Sequence, residues 1–329
     1  MPNDLPFTLR RRDMGLALLA LGAAAGLGTP ARAQGALPDE VRIGTQKGSA
    51  ILVLARKQEV IEKRLKALGV QNVKWVEFQF GPPMLEALGA GAIDLGSVGD
   101  TPPVFAQAGN SNLVYAAATP SAQHALLVPK SSPIKSIADL KGKKVAFAKG
   151  SSAHNVTIKA LASAGLSLND IVPTYLAPAD ATAAFTGGNI DAWTVWDPFY
   201  AIAEERYGAR VIADTTDKRL ASASYYMASK DFATRYPTVL SAVLDEIGKL
   251  TRWSGTHRDE LAALAAEATG IDAKSWSAAF ARAEFSFGPV TDVHVTQQQQ
   301  LADSFFALGI IPRKLNVRDI VWRPSAGAF

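Results

Sequence analysis

The hydrophobic pattern of this chain changes period repeatedly, and it does so in the same order in two successive stretches. Val41-Arg42-Ile43-Gly44 reads as a short buried strand that runs into Thr45-Gln46-Lys47-Gly48-Ser49. Leu54, Ile61, Leu65 and Leu68 then recur at helical spacing with charge on the opposite face, which predicts one helix stopped at Gly69. "VKWVEF", Val73–Phe78, predicts a strand. A short helix from Met84 to Ala90 follows Pro82-Pro83, and "GAIDLGSVGDTPP" supplies a strand and another helix start. The second stretch repeats the order. "KVAFA" is a strand ending in "KGSS", a helix runs from about His154 to Ala164 with Gly165 as its stop, "VPTYLAP" is extended, and a further helix follows Asp180 before "GGNIDAWTVWDP".

The two stretches align by hand. Lys47-Gly48-Ser49 matches Lys149-Gly150-Ser151, and Gly91-Ala92-Ile93-Asp94 matches Gly188-Asn189-Ile190-Asp191. Ser97-Val98-Gly99-Asp100 matches Thr194-Val195-Trp196-Asp197. The separation, roughly 100 residues, is too long for a solenoid repeat. It predicts two similar α/β lobes, each with strands alternating with helices. Ligands of such sheets bind beyond the carboxyl ends of the strands. All the matched strand-to-helix turns lie on that edge, so two lobes facing across a cleft would bring the turns together.

Those turns have the chemistry of an anion cradle. A helix N-terminus presents unpaired N–H groups and a partial positive charge. Ser49, Thr101 and Ser151 or Ser152 are candidate N-caps, Pro102 stands where a missing N–H costs nothing, and Gly48 and Gly150 allow close backbone approach. The plainer alternative is that these residues only cap helices. Gln46 offers an uncharged amide donor, and His154, in the first turn of its helix and followed by Asn155, is either an anion donor or a surface residue. Lys47 and Lys149 either face the ligand or are solvated. Asp100 and Asp197 precede helices. A carboxylate repels an anion, so they are expected to act behind the ligand contacts unless the ligand also carries an amine. Trp193 and Trp196 are read as lying on one side of the strand end, where they wall an apolar tail or pack in the core.

Composition narrows the classes. The chain has 329 residues, a net charge of +4 and no cysteine. The charge is too small, and basic residues too scattered, for a nucleic-acid partner. The missing thiols exclude thiolate metal sites and thiol nucleophiles, and no histidine pair has metal-ligand spacing. No G-x-S-x-G, H-E-x-x-H or Walker A motif occurs, so neither catalysis nor a cofactor is expected. Arg10-Arg11-Arg12, the apolar Met14–Leu27 and "ARAQ" form an export signal, with cleavage expected between Ala33 and Gln34 and a Sec or Tat route left open.

The quoted stretches, together with "SPIKSIADLKGKKVAFAKGSSAHN", "PTYLAPADATAAF", "NIDAWTVWDPFY" and the terminal "IVWRP", resemble the aliphatic sulfonate-binding proteins of ABC importers, relatives of the taurine and nitrate binders. The resemblance runs from about residue 41 to 324. It implies a two-lobed, type II periplasmic-binding-protein fold, each lobe a mixed sheet flanked by helices, with the ligand between them. On that pattern residues 1–33 are the signal, 34–123 the first part of lobe 1, 124–223 lobe 2, and 224–329 the return to lobe 1. The crossings are placed near Ala122–Leu126 and Ala221–Tyr226. Family contacts carried over fall on Gln46, Gly99 or Thr101, Ser151, Ser152, His154 and Trp196, and Gly48, Asp100, Asn155 and Asp197 complete the candidate site. The implied function is periplasmic capture of an organic sulfonate by a monomer, with a membrane permease as partner. Taurine, which would need Asp197 for its ammonium, a sulfate ester and nitrate are rival ligands. An enzyme of thiamine-pyrimidine synthesis on the same fold, whose relatives use a cysteine-rich metal site, and a sensory binding module are rivals of other classes. The segment "ATPSAQHA" lacks a longer basic-proline insert found in some members, and it borders the cleft.

Overall fold

A computed structural model describes residues 37–323. The export signal at 1–33, its cleavage point, and Pro324 of the terminal motif lie outside the described residues. The first half of lobe 1 runs β1 (Glu40–Thr45), α1 (Ala50–Gln58), α2 (Val60–Leu68), β2 (Asn72–Glu77), α3 (Gly81–Gly89), β3 (Leu95–Gly99), α4 (Thr101–Ala108) and β4 (Leu113–Pro120). Lobe 2 follows with β5 (His124–Val128), β6 (Lys144–Phe147), α5 (Ser152–Ser163), β7 (Val172–Tyr175), α6 (Pro178–Thr186), β8 (Ala192–Trp196), α7 (Phe199–Tyr207) and β9 (Arg210–Asp214). The chain then returns through β10 (Ala223–Ser229), α8 (Lys230–Arg235), α9 (Pro237–Thr256), α10 (Arg258–Thr269), α11 (Ala273–Ala281) and α12 (Asp292–Ala307). Among the described residues no helix is long and apolar enough to cross a membrane.

The two sheets have one topology. Lobe 1 is ordered β2-β1-β3-β10-β4 and lobe 2 β7-β6-β8-β5-β9. In each, three parallel strands are followed by one antiparallel strand, and that strand is the first one the chain makes after crossing from the other lobe. The repeated Gly-x-Ile-Asp has a structural cause. The carboxylate of Asp94 accepts the Arg42 N–H at 2.8 Å, and that of Asp191 accepts the Lys144 N–H at 2.8 Å. Each aspartate thus satisfies the backbone at the entrance of the neighbouring strand and holds the parallel register, while Ile93 and Ile190 fill the core beneath.

Several sequence expectations change. The helix predicted through to Gly69 is two helices, broken at Glu59, whose φ is +55°. Its N–H closes α1 on the Ala55 and Arg56 carbonyls. The break lets Leu52 and Leu54 of α1 and Ile61 and Leu65 of α2 all bury. The helices α3, α5 and α6 begin earlier than expected, at Gly81, Ser152 and Pro178. First-turn prolines suit α3 and α6 because N–H groups there have no helical partner. The chain passes between the sheets in 121–123 and 215–222, which overlap the ranges Ala122–Leu126 and Ala221–Tyr226 at their first residues, and the later residues of those ranges belong to β5 and β10.

Helices cover both faces of each sheet. In lobe 1, α1, α2, α9, α10 and α11 pack over one core and α3, α4 and α12 over the other. In lobe 2, α5 covers one face and α6 and α7 the opposite one. The helix α11, whose Trp276 and Phe280 are buried in the lobe 1 core, also abuts α7 of lobe 2. Ion pairs line that seam: Arg206 with Asp272 at 2.5 Å, Lys274 with Glu205 at 2.5 Å, and Arg282 with Asp197 at 2.7 Å and Glu204 at 2.8 Å.

Candidate functional site

The turns after β1, β3, β6 and β8 converge between the lobes, and small residues let them meet. A Cβ on Gly99 would stand 2.7 Å from Ser152 Oγ and 2.8 Å from its Cβ, and one on Gly48 would stand 3.3 Å from Pro198 Cδ. Each lobe 1 turn therefore packs against a lobe 2 turn at backbone distance. The cavity they enclose is lined by Gln46, Gly48, Gly99, Ser151, Ser152, Trp196 and Asp197 of the candidate residues. Ser49, Ser97, Thr119, Ser121, His124 and Tyr226 add further polar groups, and Ile51, Ala283 and Phe285 add apolar ones. Among the described residues no lysine or arginine lines it.

The serines at the helix starts do not cap. Ser49 and Ser151 occupy N-cap positions without a side-chain cap bond, and Ser151 Oγ donates to the Ala148 carbonyl at 2.7 Å. In the first turns of α1 and α5 the Ala50 N–H is spent on the Gly48 carbonyl and the His154 N–H on the Ser151 carbonyl, while the N–H groups of Ile51 and Ser152, which have no helical partner, belong to residues that line the cavity. Not every turn supplies donors. The first turn of α4 contains Pro102 and Pro103, which have no N–H, and α7 follows Pro198, with its Ala201 N–H bonded to Asp197 Oδ1 at 3.1 Å. The cradle has two donor turns, and the others shape it. Gln46 spends one amide hydrogen on the Ser97 carbonyl at 2.9 Å and keeps the other.

Four candidates lie away from the cavity. Thr101 is fully buried and donates to Asp100 Oδ1 at 2.8 Å, and Asn155 Nδ2 donates to Asp100 Oδ2 at 3.0 Å. Asp100, buried and with its pKa raised by that burial, joins the lobes rather than facing a ligand; its carbonyl also takes a hydrogen bond from Gln298. The fourth is His154. Its ring stacks on Phe147 at 5.0 Å and tilts against Phe305 of lobe 1 at 6.1 Å, and Nδ1 accepts the Gly150 N–H at 3.3 Å. Burial, with Lys149 adding, lowers its pKa to about 4, so the ring is neutral. The lysines are elsewhere: Lys149 sits over the Tyr175 ring at 5.3 Å, and Lys47 opens on a separate groove with Arg56 and Glu77.

Trp193 and Trp196 do not share a side. Three residues apart on a strand means opposite faces. Trp193 is buried in the core under α6 and α7, and Trp196 is half-buried at the cavity. The sequence also gave no signal for Arg282. Its Nε donates to Asp197 Oδ2 at 2.7 Å and its Nη2 to Oδ1 at 3.0 Å, while the guanidinium lies 3.6 Å from the Tyr200 ring centre. Asp197 thereby accepts three hydrogen bonds, two of them from one guanidinium. The signal for His124 was the segment 119–125 bordering the cleft, although the ring itself was not singled out as a ligand group. Among the described residues no cluster of three or more metal-ligating side chains occurs.

This architecture is that of a solute-binding protein, and the comparisons agree. Residues 39–282 match the family model for the substrate-binding domain of the ABC-type glycine betaine transport system. A curated relative from Escherichia coli (strain K12), by name an aliphatic sulfonates-binding protein, is 42% identical over 93% of this chain and 96% of its own length. The crystal structure of the periplasmic aliphatic sulphonate binding protein SsuA from Escherichia coli shares 42% identity, covering 88% of this chain and 94% of that one, with a TM-score of 0.79. The alkanesulfonate-binding protein SsuA from Xanthomonas axonopodis pv. citri, bound to MOPS, shares 37% identity over 88% and 99%, with a TM-score of 0.83. The class is therefore the substrate-binding component of ABC importers and not an enzyme. Within it, this chain belongs to the aliphatic sulfonate-binding family.

Proposed function

We propose that the protein captures an aliphatic sulfonate in the interlobe cavity, in the periplasm, and delivers it to the permease of an ABC importer. The observation that carries this reading is the lining: two helix first turns, hydroxyls, the Gln46 amide and Trp196, with no lysine or arginine among the described residues. A sulfonate is anionic at every physiological pH, so it needs no base to ionise it and can be held without lysine or arginine. Neutral donors and helix dipoles suffice, as at other anion sites on helix starts. In this reading Ile51 and Phe285 border the tail and Trp196 walls it. For a free ammonium, as in taurine, Asp197 is a weakened partner, because its charge is already paired with Arg282.

Isothermal titration calorimetry against methanesulfonate, longer alkanesulfonates, taurine, sulfate and nitrate tests the reading. Alkanesulfonates are expected to bind and to gain affinity with chain length. Preference for nitrate or sulfate over every alkanesulfonate would overturn it.

A further inference from the structure

One hydroxyl at the cavity has already spent its hydrogen. His124 is 2% exposed, and its Nδ1 lies 2.8 Å from the Ala122 carbonyl. A carbonyl only accepts, so Nδ1 carries the hydrogen. In the neutral ring Nε2 is then an acceptor. Ser152 Oγ stands 2.7 Å from Nε2, both atoms are buried, and the serine must be the donor. Yet Ser152 lines the cavity at the first position of α5, where an anion would be held. As the free protein stands, that hydroxyl offers the cavity only lone pairs, and lone pairs repel an oxyanion.

We infer that His124 is a positioning residue that couples anion capture to the uptake of one proton. When the sulfonate arrives, a proton from solvent occupies Nε2, Nε2–H donates to Ser152 Oγ, and the Ser152 hydroxyl hydrogen turns to a sulfonate oxygen. No covalent bond of the ligand changes, and the Nδ1 bond to Ala122 persists. The chain from carbonyl to ring to hydroxyl to anion then runs donor to acceptor at every link. This inference rests on the sulfonate reading of the cavity.

The surroundings set the direction. In the free protein burial, with Lys159 of α5 adding, lowers the His124 pKa to about 4 against the raising effect of the Ala122 carbonyl, so the ring is neutral. The other charges on the packed elements are occupied. Asp197 beyond β8 and Glu204 of α7 are held by Arg282, and Asp214 of β9 accepts from Thr216. Lys159 itself donates to the Ala221 carbonyl. Tyr200 of α7, with its pKa raised by burial, and Tyr226 at the cavity, raised likewise, stay neutral. Glu284 lies at the exposed rim. The incoming sulfonate is thus the new charge next to the relay, and an opposite charge at this range favours the imidazolium. A group whose pKa rises on binding strengthens binding as pH falls, from the bound-state pKa down to the free value of about 4.

Titration of the full-length mature protein with butanesulfonate, in two buffers of different ionisation enthalpy and from pH 5 to 8, tests this. Affinity is expected to rise as pH falls, by up to about tenfold per pH unit, with net proton uptake read from the difference in heats. Ser152→Ala and His124→Gln are each expected to bind more weakly and to lose both the slope and the proton uptake. Equal affinity across the range, with buffer-independent heats, would overturn the coupling while leaving the sulfonate reading intact. A His124→Gln protein that keeps the wild-type pH profile would also overturn it. Absence of butanesulfonate binding at every pH would remove the sulfonate reading and this inference with it.

Discussion

The matched tetrads Ser97-Val98-Gly99-Asp100 and Thr194-Val195-Trp196-Asp197 end the corresponding strands of the two lobes, and their last two residues have diverged in use. Both aspartates are buried and both are satisfied from the opposite lobe. Asp100 of lobe 1 takes an amide hydrogen from Asn155 of lobe 2, and Asp197 of lobe 2 takes two guanidinium bonds from Arg282, beside the lobe 1 core. One clasp is a single amide bond to a carboxylate and the other is a forked ion pair. Before each aspartate the repeat holds opposite extremes of size at the cavity, Gly99, which lets Ser152 of lobe 2 come up against its backbone, and Trp196, whose indole reaches toward Gly48 of lobe 1. A duplicated frame thus supplies two reciprocal clasps, and one side-chain position, glycine in one lobe and tryptophan in the other, sets how each strand end meets the opposite lobe.

The strongest test of this asymmetry removes Arg282. Arg282→Met leaves Asp197 buried without its partner, and breaking a buried pair costs about 3–5 kcal/mol. The expected result is a loss near the lower end of that range in denaturant unfolding, because the Arg282 side chain is 25% exposed. Asn155→Ala is expected to cost less, about 1.5 kcal/mol, the lower end for a hydrogen bond to a charged group, since Thr101 still donates to Asp100. Equal losses in the two variants would mean that the clasps are equivalent and that the fork adds nothing.

The frame of this comparison was legible in the sequence, and the clasps were not. Repeated Gly-x-Ile-Asp and Lys-Gly-Ser motifs predicted two like lobes with their turns on one edge, because each motif serves its own sheet: Asp94 and Asp191 bond only one strand away. Arg282 is 85 positions from Asp197 and sits in no pattern, so its role is visible only once α11 is seen against α7. His154 misled for a local reason. Its place in the first turn of α5 suggested an outward donor, but Phe147, at the end of the preceding strand, and Phe305, distant in the chain, draw the ring inward. Glu59 misled similarly, since nothing in a run of apolar positions at helical spacing signals a left-handed residue.

Gly99→Ala addresses the glycine half of this contrast. The added methyl would meet Ser152 Cβ at 2.8 Å, which belongs to a helix start and cannot rotate away. The two lobes must part slightly, so ligand affinity is expected to fall by an amount equivalent to about 1–3 kcal/mol of overpacking, with an increased radius of gyration in the liganded protein. Unfolding of either lobe should change little, because the contact lies between them. Wild-type affinity and compaction would show that the Gly99 contact does not limit closure.

Trp196 addresses the tryptophan half, and its effect is the smallest per group. If its half-buried ring covers the ligand tail, each tail CH₂ gains about 0.8 kcal/mol only while that apolar surface is present. Trp196→Ala is therefore expected to flatten the plot of binding free energy against alkanesulfonate chain length, while methanesulfonate, which the proposed function places at the starts of α1 and α5, loses less. Loss of an indole N–H contact to the head would shift every ligand equally, so the slope separates a wall from a donor. Calorimetry across one to five carbons gives both quantities. Parallel lines for wild type and variant would place the tail against another part of the lining, and Ser121 and Phe285 flank the same cavity. In that case the Gly–Trp contrast in the repeat would describe only how the lobes are spaced, and the tail would be read by the crossing segment and the turn after Arg282.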